Sequence, residues 1–237
     1  MTDAGTAVRL AGIRLDAQDP VRVADYWAAL LRGQVAVRAD GARVVVPDDE
    51  GSVPLVVVRT DAAKTLQNRI HLDLATSSAG EREQLVARAL ALGGATADVG
   101  QSPNEPHTVL ADPEGNELCV IDPGNEFLAG TGTVGAVNCD GTRAVGLFWS
   151  AALGWPLVWD QDEETAIQSP RGGSKITWSG PPLMPRGARD RLRLELSATA
   201  PLTTAIAELI ALGARTVRVD EGEAVLRDPD ENEFHLC

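Results

Sequence analysis

The sequence predicts an α+β protein in which one domain is written twice, and three observations carry that expectation. The first is a repeated phrase: "DPEGNELCVID" at Asp112–Asp122 returns as "DPDENEFHLC" at Asp228–Cys237. The second is a constant separation between matched segments. Trp27 in "LDAQDPVRVADYWAALL" stands over Trp149 in "VNCDGTRAVGLFWSAAL", and Arg69 in "RIHLDLAT" stands over Arg191 in "RLRLELSA" at the same spacing. The third is periodicity, which alternates between strand-like and helix-like stretches in the same order in both copies.

Each element has a local cause. Val8 to Leu15 alternates apolar and polar residues as a half-buried strand does. Pro20 to Leu31 places Val23, Trp27, Leu30 and Leu31 on one helical face, and Pro20 suits a first helical turn. "ARVVVP", "SVPLVVVRT" and "RIHLDLAT" read as strands separated by "GAR" and "DDEGS" turns. Gly80 to Leu92 reads as a second helix stopped by Gly93-Gly94, and three short strands end at Ile121. In the closing phrase, Asp112-Pro113 sets a turn, Gly115 or Asn116 takes the positive φ, and the strand resumes at Glu117. Each copy is therefore a pair of βαβββ units. The expected boundaries are 1–124 for domain one, 125–133 for a linker and 134–237 for domain two.

Composition bounds the function. A formal net charge of −13 opposes nucleic acid and anionic membranes, and a diffuse negative field draws cationic ligands inward. Nowhere do about 18 uncharged apolar residues run together, as a spanning helix requires. The three cysteines, Cys119, Cys139 and Cys237, form neither a CxxC pair nor an even disulfide set, so a reducing cytoplasmic setting is expected.

The helix phrases "VADYWAALLRG" and "GLFWSAALGW", the "LGA" turn and the terminal "DPEGNEL" and "DPDENEF" together resemble the vicinal oxygen chelate superfamily, which includes glyoxalases, bleomycin-resistance proteins and extradiol dioxygenases. The resemblance spans nearly the whole chain. It implies two tandem glyoxalase-like domains whose βαβββ units form curved mixed sheets, and an intramolecular pseudo-dimer of the two copies. In chelating members of the superfamily a metal is held by donors converging from separate strands. Those slots fall here near Gly12 and Val134 on the first strand, at Arg69 and Arg191 on the fifth, and at Cys119 and His235 on the last. His71 lies one pleat beyond Arg69. Glycine and valine offer no ligand and arginine repels a cation, so no metal and no other cofactor are expected.

The remaining polar residues nominate the site. His71 and Asp73 alternate with Ile70, Leu72 and Leu74, and Arg193 and Glu195 repeat the pattern, so both pairs point into a concave face. Arg193 and Glu195 also suit an ion pair between neighbours. His235 and His71 are the candidate acid–base residues. Asp73, Cys119, Trp178, Arg193 and Glu195 are the candidate ligand-binding residues, with Cys119 also suited to simple burial because the sequence identifies no acid–base partner for it. Trp178 precedes a loop, "SGPPLMPRGARDR", that copy one lacks, and suits the lip of a pocket for a cationic or aromatic ligand. Copy two, with His235, Arg193, Glu195 and Trp178, is expected to form the more competent cup. The expected function is small-molecule binding with metal-independent acid–base catalysis of an isomerase, lyase or cyclase type. The alternative is ligand sequestration without turnover, as in bleomycin-resistance proteins, and a metal-dependent glyoxalase or dioxygenase ranks third.

Overall fold

The computed structural model describes residues 5–102, 105–187 and 190–237. Four βαβββ units follow one another. The first is β1 (Val8–Ala17), α1 (Pro20–Leu30), β2 (Gln34–Val37), β3 (Arg43–Val46) and β4 (Leu55–Arg59). The second is β5 (Ile70–Leu74), α2 (Ala79–Ala91), β6 (Ala95–Thr96), β7 (His107–Ala111) and β8 (Glu117–Ile121). After a linker with a short 3-10 turn at Glu126–Leu128 comes the third unit, β9 (Val134–Cys139), α3 (Arg143–Leu153), β10 (Leu157–Gln161), β11 (Glu164–Gln168) and β12 (Lys175–Trp178). The fourth is β13 (Leu192–Ala198), α4 (Leu202–Leu212), β14 (Arg215–Asp220), β15 (Glu223–Arg227) and β16 (Glu233–Leu236). Asp19 caps α1 by accepting from the Arg22 amide, with Pro20 in the first turn as expected. Among the described residues no helix is long and apolar enough to cross a membrane.

The units form two mixed eight-stranded sheets, and each sheet takes one unit from each copy. The first sheet runs β14-β15-β16-β13-β1-β4-β3-β2, joined where β1 lies antiparallel to β13. The second runs β10-β11-β12-β9-β5-β8-β7-β6, joined where β5 lies antiparallel to β9. The repeated arginines fasten this exchange. Arg69 of copy one pairs with Asp140 of copy two through Nε at 2.7 Å, and Arg191 of copy two pairs with Glu114 of copy one at 2.9 Å. All four are largely removed from water. The two positions that resemblance places at a metal slot are thus spent on joining the copies.

Strand alternation divides each sheet into an apolar and a polar face. On β1, Ile13 and Leu15 enter the main core while Arg14 and Asp16 face the other way; on β5, Leu72 and Leu74 enter the core opposite His71 and Asp73. The helices cover the apolar faces, led by Trp27 and Trp149 on α1 and α3. The repeated phrase reaches back to these tryptophans. Asp112 accepts from the amides of Glu114 and Asn116 with one oxygen, and from the Asn116 side chain and Trp27 Nε1 with the other. Asp228 repeats the pattern with Asp230, Asn232 and Trp149 Nε1. Gly115 takes the positive φ at 82°, and Glu231 takes it at 64° in copy two.

Candidate functional site

The polar faces of the two sheets are two cups of opposite character. In the first sheet, Arg14 and Arg193 are register partners across β1 and β13, and Glu195 is the partner of His235 across β13 and β16. Glu195 accepts from Arg14 at 3.0 Å and from Arg38 at 2.5 Å, and Arg193 pairs with Asp16. Arg193, Glu195 and Asp16 are each about 1% exposed and His235 is 7% exposed. Arg193 and Glu195 therefore do pair, but with charges from the first unit and not with each other. Beside them Ala42, Val44, Val56 and Val58 make a small apolar cluster of their own. This cup is filled by its own side chains.

The second cup is open. One row of partners crosses five strands of the second sheet, from Trp159 through Ala166, Thr177 and Asn138 to His71. A cavity of about 320 Å³ lies over this row from Trp159 as far as Asn138, walled by Asp73, Asn138, Glu164, Thr177, Trp178, Trp159 and Phe127 among others. Phe127 comes from the linker and meets Trp159 edge to face, with ring centres 6.1 Å apart. The Lys175 ammonium is already held, bonded to the Phe127 carbonyl and 4.0 Å from that ring's centre. At the other end His71 Nε2 is 3.3 Å from Asp73 Oδ1, and Asn138 Nδ2 is 3.5 Å from Asp73 Oδ2. The nearest donor atoms of His71, Asp73 and Cys119 all lie within 4.8 Å of one another. Burial would lower the His71 pKa, but its hydrogen bonds to Asp73 and Cys119 outweigh burial and hold it raised, to about 10. The imidazole is then a proton donor at neutral pH.

The expected grouping of Trp178 with His235, Arg193 and Glu195 is corrected by the unit exchange. Trp178 is on β12 in the second sheet, while the other three are in the first. Its ring packs under α3, where an added Cβ at Gly146 would lie 3.2 Å from Cε3, and Trp178 is 2% exposed. Trp178 still lines the second-sheet cavity together with Trp159, which is the exposed one of the two at 40%. The loop after Trp178 is strapped across the other hairpin instead, with Arg186 donating to the carbonyls of Asp230 and Glu231; Ala188 and Arg189 lie outside the described residues. Phe127, Asn138, Glu164 and Thr177 were not nominated from sequence. Phe127 sits in a linker with no repeat counterpart, and the others share a sheet face with His71 only because the units are exchanged.

The chelating arrangement that the resemblance implies needs donors from both halves of a cup. Among the described residues of the second sheet, the clustered donors His71, Asp73 and Cys119 stand on β5 and β8, β9 and β12 face them with Ala136, Asn138 and Thr177, and the Glu164 carboxylate stands apart on β11. In the first sheet Arg14 and Arg38 hold Glu195, the register partner of His235. Among the described residues neither cup brings donors from both of its halves together: the one cluster with metal-ligating side chains, His71, Asp73 and Cys119, draws on one half alone.

Comparison with known proteins agrees with this architecture. The fold is similar to that of glyoxalase I from Zea mays, at 13% identity and a TM-score of 0.70, over 97% of this chain and 92% of that one. It is also similar to a putative dioxygenase from Bacillus subtilis subsp. subtilis str. 168, at 13% identity and a TM-score of 0.62, over 98% and 84% of the two chains. No curated protein matches the sequence. The family model described as "Glyoxalase-like domain" matches twice, over residues 12–121 and 135–237. The chain belongs to the glyoxalase-like domain family, as a tandem-repeat member of the vicinal oxygen chelate superfamily.

Proposed function

We propose that this protein binds a planar, cationic small molecule in the cup of the second sheet and transfers a proton to it from His71. The observation that supports the reading is the row of partners from Trp159 to His71, along which Trp159 and Phe127 wall the open cavity on one side and Asp73, the hydrogen-bond partner of His71, walls it on the other. Neighbouring strands lie about 4.8 Å apart, so three steps from Trp159 to Asn138 span roughly 14 Å along the cavity floor. Trp159 and Phe127 suit the face of a flat cation, and the Glu164 carboxylate suits its charge. Asn138 and Thr177 supply polar contacts along the floor. His71, held by Asp73, meets the far end as a general acid, in a redox-neutral step of the isomerase, lyase or cyclase type. In this reading the two copies act as one intramolecular pseudo-dimer, and His235 serves the packing of the first sheet.

The test uses a matched pair of tryptophan quenchers, N-methylacridinium and neutral acridine, at pH 7.5. Trp27 and Trp149 are almost fully buried, Trp155 is partly buried and Trp178 lines the cavity beside Trp159, so the Trp159→Ala protein serves to isolate the Trp159 share of the quenching. The cation should bind at least tenfold more tightly than acridine, and Trp159→Ala should weaken it about tenfold, or about 1.4 kcal/mol. Equal affinities, or a metal ion found at one equivalent per chain in the purified protein, would overturn the reading.

A further inference from the structure

Cys119 is the register partner of Asp73 across β5 and β8, and its sulfur lies within 4.8 Å of the nearest donor atoms of His71 and Asp73. The acid–base partner that the sequence withheld from this thiol is supplied by the fold. Cys119 is 8% exposed and stands next to Asp73, which forms part of the cavity wall. We propose that Cys119 is a nucleophile that adds to a conjugated carbonyl group of a ligand seated in this cup, with His71 carrying the proton and Asp73 positioning the imidazole. The proposal rests on the second-sheet cup being the ligand site.

The chemistry follows from the neighbours. The thiolate is the reactive form of cysteine, and a protonated imidazole beside it stabilises that form. His71 keeps its proton well above neutrality, which supplies that charge. In the addition, the sulfur bonds to the β-carbon, the C=C electron pair shifts toward the carbonyl, and the former thiol proton passes through His71 to the α-carbon. Nothing leaves, and no oxidant or reductant is consumed. A soft sulfur nucleophile selects this soft carbon electrophile over hard ones.

The other two cysteines are internal controls. Cys139 is 3% exposed and burial pushes its thiol up. Cys237 is partly exposed, more so than Cys119, but burial and the nearby Glu195 carboxylate raise its thiol as well. Accessibility alone therefore ranks Cys237 first, and the adjacent imidazole of His71 ranks Cys119 first.

N-ethylmaleimide, itself a conjugated dicarbonyl, separates these orders when adduct formation at each cysteine is timed by peptide mass mapping at pH 7. Cys119 should be modified at least tenfold faster than Cys237, and N-methylacridinium should slow it. His71→Gln should cut the Cys119 rate at least tenfold while leaving the Cys237 rate unchanged. If His71→Gln instead exposes all three thiols by unfolding, Asp73→Asn takes its place, with the same slowing expected at Cys119 alone. Modification of Cys119 no faster than Cys237, or a Cys119 rate indifferent to both substitutions, would overturn the proposal. Saturable N-methylacridinium binding alongside an unselective Cys119 would defeat the nucleophile and leave the binding reading standing.

Discussion

Arg193→Ala should cost about 3–5 kcal/mol of folding stability, because it removes a counter-charge from a buried carboxylate. Arg193 and Asp16 are each about 1% exposed and pair across the β1–β13 seam, where the two copies join. Removing one partner of a buried pair costs more than the pair itself contributes, since the remaining ion has already lost its hydration. The double replacement Arg193→Leu with Asp16→Leu should therefore be less damaging than Arg193→Ala alone. Urea denaturation of the three proteins checks both statements, and an Arg193→Ala loss under about 1 kcal/mol would show that the first cup is wetter than its burial indicates.

Asp228→Ala should cost about 2–4 kcal/mol, through the loss of hydrogen bonds to a buried carboxylate and an indole N–H left unpaired. Asp228 is 2% exposed and holds the Trp149 indole, the Asn232 side chain and two turn amides. Burial raises its pKa while the Asn232 and Trp149 hydrogen bonds pull the other way. Asp228→Asn keeps an acceptor oxygen and should retain more of the stability than Asp228→Ala. The repeated phrase is thus a clasp between hairpin and helix. Asp112 performs the same task for Trp27, so Asp112→Ala serves as the matched control.

Much of this fold was legible because its signals are local. The Trp27 and Trp149 helices, the αβ punctuation and the DPxxNE turn each follow from residues within one unit, and all appear in place. The alternation of His71 and Asp73 with Leu72 and Leu74 correctly gave the polar face of β5, since period two fixes which side a residue takes. Which units share a sheet was not legible. The pairing of β1 with β13 and β5 with β9 depends on contacts between distant segments, and each unit carries the same pattern. That one unknown decided the site. It separated Trp178 from His235, brought Asn138 beside His71 with Thr177 one strand beyond, and set Glu195 between two arginines of the first unit. Cys119 likewise gained its neighbours only from the β5–β8 register.

The central claim is that ligands enter the second-sheet cup and not the first. The most direct measurement is the dissociation constant of N-methylacridinium for the wild type, Thr177→Trp and His235→Ala, with thermal unfolding confirming that each is folded. Thr177 lies on the floor of the open cavity, and an indole there fills the space a ligand needs, whereas His235 is packed in the other sheet. The account predicts at least a tenfold weaker constant for Thr177→Trp and a constant within twofold of the wild type for His235→Ala. Loss of binding in His235→Ala with Thr177→Trp unaffected would contradict it.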